Sequence, residues 1–209
     1  MNPSTAEVSN SARERILESA GPIFAQRGFT GTSVAEIAAE ADISKSTVFH
    51  HFANKRALYL AVIEQAAADF AQTLESVLER PGSLEGRLEA FQDKHLAHIM
   101  EKASITQLVL RELQKPNSTE ARHLVQDVLF QNFQRLVGFI AGAQQAGLIR
   151  AAANASVTAM TLISANVFYF QHQHVLPYLP GFEETQAPRQ YTKAVIDLIF
   201  HGLRKDPNS

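Results

Sequence analysis

The fold of the chain is decided by residues 29–55, which read FTGTSVAEIAAEADISKSTVFHHFANK. The hydroxyl of Ser33 and the carboxylate of Glu36, three residues later, form a capping-box pattern that predicts the start of a helix. The apolar residues that follow have the i, i+3, i+4, i+7 spacing of a short amphipathic helix: Val34, Ile37, Ala38 and Ala41. The pattern therefore predicts a first short helix that ends near Ala41.

A second short helix follows a tight turn at Asp42-Ile43. Ser44 is placed to cap it, and Val48, Phe49 and Phe52 give it an apolar side. The other residues at its start are small, polar or basic: Lys45, Ser46 and Thr47. This arrangement predicts a helix-turn-helix whose second helix places its N-terminal end in the major groove of DNA.

Helix N-termini attract phosphate because their backbone N–H groups are exposed and carry the positive end of the helix dipole. Lys45 can read a guanine edge or pair with a phosphate, and Thr47 can offer its methyl group to thymine. Lys55 and Arg56 begin a longer helix that Asn54 is placed to cap, and Thr32 precedes the first short one. All three of Lys55, Arg56 and Thr32 are further candidates for phosphate contacts. Any one such helix start is most often only a solvated cap. The prediction depends on their combination.

The distribution of charged residues indicates that any DNA-binding surface is a local patch. The formal net charge is −2, so the whole molecule is not a polycation. Up to residue 60, six basic residues balance six acidic ones. Lys45, Lys55 and Arg56 nevertheless cluster after Asp42, and no further carboxylate occurs before Glu64.

Composition excludes several classes of protein. The chain has no cysteine, which excludes disulfides, thiol redox sensing and zinc sites with thiolate ligands. The N-terminus is polar without the apolar core of a signal peptide, and no apolar run reaches the roughly 18 residues that span a bilayer. A soluble, cytoplasmic protein without membrane segments is expected.

The chain of 209 residues is predicted to be all-α, with about nine helices, because no strand alternation or hairpin pattern occurs. We expect residues 1–60 to form the helix-turn-helix domain, with residues 1–10 as a mobile arm. A helix from Ser11 should be kinked by Pro22 and end at Gly28, which is free to take a left-handed cap. Residues 61–209 should form a larger ligand-binding and dimerisation domain, and a long helix over 55–79 should link the two. The later helices are expected over 83–99, 104–115, 117–147, 154–176 and 188–205.

Residues 11–60 resemble the N-terminal domain of the TetR/AcrR family of bacterial transcriptional regulators. The matching residues are Phe24, Gly28, Phe29, the segments 32–38 and 43–49, and Ala41, His51, Phe52, Lys55 and Leu58. The resemblance implies a dimeric repressor that a small-molecule inducer releases from a palindromic operator. By position, it places the DNA contacts on Thr32, Ser44, Lys45, Ser46, Thr47, Phe49, His50, His51 and Lys55.

Three residues depart from the usual pattern of that family. Phe49 stands where tyrosine is usual, Ser46 where glycine is common, and Arg56 where an acidic residue is usual. Phe49 therefore lacks a hydroxyl for phosphate, whereas Ser46 adds a hydroxyl and Arg56 a positive charge. DNA binding is still expected, but the operator of another family member cannot be transferred to this chain.

The resemblance also assigns dimerisation to the last two helices, which would form a four-helix bundle with those of a second copy. Small and apolar residues along them permit close packing, although ordinary core packing explains each one equally well. The candidates are Val157, Thr161, Ser164, Ala165, Val195, Leu198, Gly202 and Leu203.

A pocket for the inducer is expected in the body, where polar or aromatic side chains interrupt apolar helix faces. The candidates are Phe91, His95, His98, Gln107, Arg111, Phe133, Asn166, Tyr169, Phe170 and His172. The 13 phenylalanines of the chain, in the absence of tryptophan, suggest a hydrophobic or aromatic ligand.

Two other classes of function remain open at this point. The first is a metal-binding or catalytic helical protein: His95 and His98 share a helix face with Glu101 one turn further, but no third ligand is evident. No nucleophile, base and orienting group can be placed together, so we expect neither an enzyme nor a cofactor. The second is a ligand-independent DNA-binding protein whose body only dimerises.

Overall fold

A computed structural model describes residues 5–115, 119–182 and 187–203, and these residues form helices joined by short connections. The described part contains α-helices and no strand, which confirms the all-α prediction. The helices are α1 (Thr5–Gly31), α2 (Val34–Glu40), α3 (Lys45–His51), α4 (Lys55–Leu78), α5 (Leu84–Glu101), α6 (Ala103–Leu113), α7 (Thr119–His123), α8 (Phe130–Gln145), α9 (Ala155–His172) and α10 (Pro188–Leu203). A π-helical segment (Leu124–Leu129) joins α7 to α8, and a 3-10 turn (Leu176–Tyr178) follows α9.

The described residues divide into two compact units. The first unit comprises Met1–Ala68 and Lys102–Val128, and the second comprises Asp69–Glu101 and Leu129–Ser209. This composition differs from a division at residue 60, because α6 packs along α1 and so belongs with the helix-turn-helix. The predicted assignment of ligand binding and dimerisation to residues 61–209 stays a prediction.

Helix α1 lies in the first unit and corrects one expectation. It begins at Thr5 rather than Ser11, since residues 5–10 contain no proline or glycine to prevent a helix. Pro22 lies inside the helix, where a kink stays a prediction, and the backbone leaves the helical conformation at Gly28. Gly28 has φ +71°, as expected for a left-handed helix cap.

The predicted helix caps of the helix-turn-helix are confirmed. Ser33 and Glu36 form both hydrogen bonds of a capping box at the start of α2. Ser44 accepts a bond of 3.1 Å from the Thr47 N–H at the start of α3, and Asn54 accepts one of 2.9 Å from the Ala57 N–H in α4. These local bonds fix where each short helix begins.

Helix α6 is tied to the first unit by polar contacts with α1 and α4. The Arg111 guanidinium donates to the carbonyl oxygen of Ala25, near the end of α1, at 3.1 Å. The Tyr59 hydroxyl donates to the buried carboxylate of Glu112 at 3.3 Å, and Lys115 donates to the same carboxylate at 2.7 Å. These contacts explain why a segment distant in sequence completes the unit.

The second unit is built around α5, which packs against α9 and α10, while α8 packs against α9. Its core is apolar and includes Leu74, Leu88, Phe91, Leu136, Ile140, Leu162 and Ile196. Among the described residues, no helix is both long and apolar enough to cross a membrane.

The helix limits in the later part of the chain differ from two expectations. The long helix expected over 117–147 changes to π-helical geometry at Leu124–Leu129, and its expected first residue, Asn117, lies outside the described residues. Helix α9 ends at His172, before the expected residue 176, and the chain then forms the 3-10 turn. Pro177 within that turn prevents the α-helix from continuing.

Candidate nucleic-acid interface

The start of α3 presents a connected set of hydroxyl groups. The Oγ of Ser44 lies 2.7 Å from the Oγ of Ser46 and 2.8 Å from the Oγ1 of Thr47, in addition to capping the helix. Ser44, Lys45 and Ser46 are exposed, and Thr47 is half-buried. The structure therefore brings together the four small polar and basic residues that the sequence indicated at this helix end.

The outer side of α3 carries an exposed aromatic and two histidines. Phe49 was expected on the apolar side with Val48 and Phe52, but its ring is 44% exposed while those two are buried. The Lys45 ammonium lies over the Phe49 ring, 5.7 Å from its centroid. The rings of His50 and His51 lie 5.4 Å apart. Burial lowers the pKa of His51, and the charges of His50 and Arg13 lower it further, which favours the neutral ring at neutral pH.

Lys55 has a structural role that its sequence position does not reveal. Its ammonium donates to the backbone carbonyl of Thr32 at 2.9 Å and lies 4.5 Å from the centroid of the Phe29 ring. Lys55 thereby connects the start of α4 to the segment between α1 and α2. One ammonium hydrogen is used in this bond, and the group carries two more that can reach a phosphate.

Thr32 differs from its expected role as a contact residue. Its side chain is 3% exposed, and its hydroxyl donates to the carbonyl of Gly28 at 2.8 Å. That hydroxyl satisfies a carbonyl at the break in α1 and so supports the backbone before α2. The signal missed in the sequence is the separation of four residues between Gly28 and Thr32, which is typical of a hydroxyl that bonds back to a helix end.

Two other charged residues near the interface have partners within the first unit. Arg56 contacts the Nδ1 of His123 on α7 at 2.5 Å. Arg27 forms an exposed ion pair with Glu36. Hydrogen bonds from the backbone and side chain of Ser33 lower the pKa of Glu36, with a smaller contribution from Arg27. The positive charge next to α2 is therefore partly neutralised.

Replacing Lys55 by alanine is expected to weaken binding to specific and random DNA by the same factor and to lower the salt dependence of binding. It should also lower the free energy of unfolding by about 2 kcal/mol, because a charged hydrogen bond and a cation–π contact are lost. Fluorescence anisotropy at several salt concentrations and urea denaturation measure the two effects. Lys55→Arg, which keeps the charge, is the control. Unchanged stability of Lys55→Ala would contradict the structural role.

An aromatic cluster supports the base of the interface. The buried ring of Phe24 meets Tyr59 edge-on at 5.1 Å, and Phe29 meets Tyr59 at 5.2 Å. Tyr59 belongs to α4 and bonds Glu112 on α6, so the cluster joins α1, α4 and α6. Tyr59 and Glu112 were not singled out in the sequence, because their contact joins residues 53 positions apart and no local pattern shows it.

Residues 16–62 match the sequence model of the bacterial regulatory proteins of the tetR family. This segment is therefore similar to the N-terminal domain of that family. The matched segment begins inside α1 and ends inside α4, so it contains α2, α3 and the Lys55 contacts described above.

Similarity to curated proteins extends beyond the matched segment. The HTH-type transcriptional repressor SCO4008 of Streptomyces coelicolor is 28% identical over 137 residues, which cover 66% of this chain and 67% of the relative. The HTH-type transcriptional repressor NicS of Pseudomonas putida is 24% identical over 206 residues, or 96% of both chains. These relatives are transcriptional regulators.

Solved structures share the fold over most of the chain. The transcriptional regulator FadR of Bacillus subtilis, in complex with stearoyl-CoA, superposes with a TM-score of 0.75 at 16% identity. The match covers 91% of this chain and 99% of that protein. At this identity the likeness establishes the all-helical fold.

The residues predicted to line the inducer pocket fall in both units. Gln107 and Arg111 lie on α6 in the first unit, where Arg111 bonds Ala25. Gln107 lines an open groove of about 880 Å³ together with residues of α1 and α2. The other candidates lie in the second unit: Phe91, His95, His98, Phe133, Asn166, Tyr169, Phe170 and His172. The structure therefore assigns these eight residues to one unit and Gln107 and Arg111 to the other.

Within the second unit, three of these residues form one buried cluster. His95 and Asn166 are in hydrogen-bond contact at 3.0 Å, and the His95 ring stacks on Phe91 at 5.4 Å. Gln92, which the sequence analysis did not select, lies in the same cluster and is fully buried. Its position four residues after Leu88, on the apolar face of α5, is the signal that could have identified it.

The described part of the chain contains no cluster of side chains suited to hold a metal ion. No three His, Cys, Asp or Glu side chains come together there. His95 and His98 instead contact the same aromatic ring, Phe70, each at 5.1 Å between centroids.

Proposed function

We propose that the chain is a ligand-responsive transcriptional repressor that binds a palindromic operator through α3. The observation that carries the proposal is the start of α3, where exposed Lys45 and Ser46 and half-buried Thr47 are held by the Ser44 cap. Such a helix end fits the major groove because its side chains are short and its backbone donors face outward. SCO4008 and NicS, both named repressors, support this function.

The DNA contacts are proposed to divide by role. Lys45, Ser46 and Thr47 would meet base edges, and Phe49 would meet apolar base surface such as a thymine methyl. Ser44, His50, His51 and Lys55 would contact the phosphate backbone and fix the register. Thr32 contributes its backbone position, since its hydroxyl is bonded to Gly28.

The chain is proposed to act as a homodimer through α9 and α10. One face of α9 exposes Val157, Met160 and Phe168, at 61%, 52% and 49%, and α10 exposes Leu198 at 78%. Thr161 and Ser164 lie on the same part of α9 and are also exposed, whereas Ala165 and Val195 are half-buried. Gly202 and Leu203 belong to the end of α10, for which the structure describes the backbone alone. Sedimentation equilibrium is expected to give twice the chain mass of 23.0 kDa.

An effector is proposed to bind the second unit and to stabilise a conformation that positions the two recognition helices unfavourably for DNA. The aromatic and apolar surroundings of His95 and Asn166 support a hydrophobic or aromatic ligand. FadR, which shares the fold, binds stearoyl-CoA, an example of a ligand with a long apolar part.

Genomic footprinting with the purified protein tests the function and supplies the operator. Thr47→Ala is expected to weaken binding to that operator by about tenfold, with little change in binding to random DNA, because one base contact is lost. Ser76→Ala, on an exposed part of α4, serves as the control. An equal loss of specific and random binding in Thr47→Ala would assign Thr47 to the backbone, and a footprint without sequence preference would refute the operator.

A further inference from the structure

A buried polar cluster in the second unit contains one acceptor that has no donor. Gln92 and Asn166 are fully buried, and His95 is 7% exposed. Gln92 and His95 belong to α5, and Asn166 faces them from α9. The Gln92 amide donates to the carbonyl of Leu162 at 3.1 Å, so Gln92 itself is held against α9.

The orientation of the Asn166 amide is fixed by its neighbours. Its Nδ2 lies 3.0 Å from the Gln92 carbonyl, 2.8 Å from the Gln92 Oε1 and 3.0 Å from the His95 Nδ1. All three of these atoms can accept, so the NH₂ group must face them, and turning the amide over would set oxygen against oxygen. The Oδ1 atom is then left without a hydrogen-bond partner among the described residues.

An unpartnered buried acceptor is uncommon in folded proteins, because the carbonyl loses its water without gaining another donor. The Nδ2 atom of the same amide has acceptors within 3.0 Å, so the Asn166 side chain is held in place and its Oδ1 is the atom that lacks a partner. The feature indicates that a donor from outside the cluster meets Oδ1.

The surroundings of the cluster indicate the kind of molecule that carries this donor. The rings of Phe91 and His95 are nearly parallel, with an angle of 10° between them, and Phe70 lies 5.1 Å from both His95 and His98. Phe70 and His98 are only half-buried, so the aromatic group meets accessible space on one side. Flat rings of this kind favour an aromatic or other apolar body.

The polar groups of the cluster disfavour an anion. The hydrogen bonds described for Gln92, His95 and Asn166 are all with neutral groups. Burial lowers the pKa of His95 to about 3, with a smaller contribution from His98, so its ring is neutral near pH 7. A carboxylate or phosphate placed against a neutral ring and an amide oxygen would lose its hydration without gaining a counter-charge.

We propose that Asn166 Oδ1 is the specificity-determining acceptor of the effector site, and that the effector is an uncharged apolar or aromatic molecule with a hydroxyl donor. This inference rests on the proposed function as a ligand-responsive repressor, and it narrows the ligand class. An alcohol or a phenol satisfies the buried oxygen through its O–H and packs its apolar part against Phe70 and Phe91. An acid of the same size would bring an acceptor against an acceptor.

Three probes of similar shape test the ligand class on the full chain. They are 4-propylphenol, which donates a hydrogen bond, 1-fluoro-4-propylbenzene, which does not, and 4-propylbenzoate, which is an anion. Isothermal titration calorimetry is expected to show the phenol binding at least about tenfold more tightly than the fluoro compound, the usual effect of one hydrogen bond to a buried group. The benzoate is expected to bind most weakly.

A pair of variants locates the effect. In Asn166→Leu the phenol and the fluoro compound should bind within about twofold of each other, whereas Gln171→Leu, at an exposed position of α9, should keep the full difference. Circular dichroism verifies folding. Should Asn166→Leu fail to fold, the three probes on the natural chain still decide the matter. Equal binding of the probes, tightest binding of the benzoate, or no binding up to the solubility limit would each overturn the proposal and leave an ordered water as the partner of Asn166.

DNA binding measured in parallel separates this inference from the proposed function. Release of the footprinted operator by 4-propylphenol, and not by the fluoro compound at the same concentration, is the expected result. A retained operator with no response to the phenol would overturn the ligand class and leave the repressor assignment standing. A chain that binds the phenol but no specific DNA would refute the repressor assignment alone.

Discussion

Phe24→Ala is expected to lower the free energy of unfolding of the first unit by about 3–5 kcal/mol, the range for removing a buried phenylalanine. The ring is fully buried and contacts both Phe29 and Tyr59. Its removal leaves a cavity at the junction of α1 and α4 and deprives Tyr59 of an edge-to-face partner. Urea denaturation followed by circular dichroism measures the change.

The same substitution at Phe49 is the matched control. Phe49 lies on α3 with 44% of its surface exposed, so Phe49→Ala should change stability by less than about 1 kcal/mol. It should instead weaken operator binding, since the ring is proposed to meet the bases. Similar stability losses in the two variants would show that the aromatic cluster does not support the unit as described.

Acidification is expected to destabilise the second unit through His95. The pKa of His95 falls from its ordinary 6.5 to about 3 in the folded chain, because burial penalises the charged ring. Between these two values the unfolded chain binds a proton that the folded chain does not, so stability falls as the pH is lowered through this window. At pH 4.5 the loss amounts to roughly 2–3 kcal/mol.

His95→Asn removes the titrating group and keeps an acceptor for Asn166. Its free energy of unfolding should therefore depend less on pH between 7 and 4.5, by about the amount lost through His95. His174→Asn, at an exposed position, should retain the pH dependence of the natural chain. Parallel curves for His95→Asn and the natural chain would mean that His95 titrates normally in the folded state.

Local chemistry accounts for the parts of the fold that the sequence predicted well. The capping residues Ser33, Ser44 and Asn54 act within three residues of their partners, so their patterns can be read directly from neighbouring letters. The left-handed conformation of Gly28 was predictable for the same reason.

Contacts between distant residues account for the parts that the sequence did not predict. Lys55 meets Thr32 across 23 positions, and Arg111 meets Ala25 across 86. The orphaned oxygen of Asn166 depends on Gln92, 74 positions away. The sequence singled out Lys55, Arg111 and Asn166 as polar candidates. Their partners depend on how the helices pack, which a single sequence does not specify.

The inclusion of Lys102–Val128 in the first unit also bears on synthesis of the chain. Residues 16–62 emerge from the ribosome early, yet α1 and α4 must wait for Arg111 and Glu112 before their polar contacts with α6 can form. Closure over such a separation is slow compared with local helix formation. The helix-turn-helix therefore lacks these contacts until about 50 further residues have been translated.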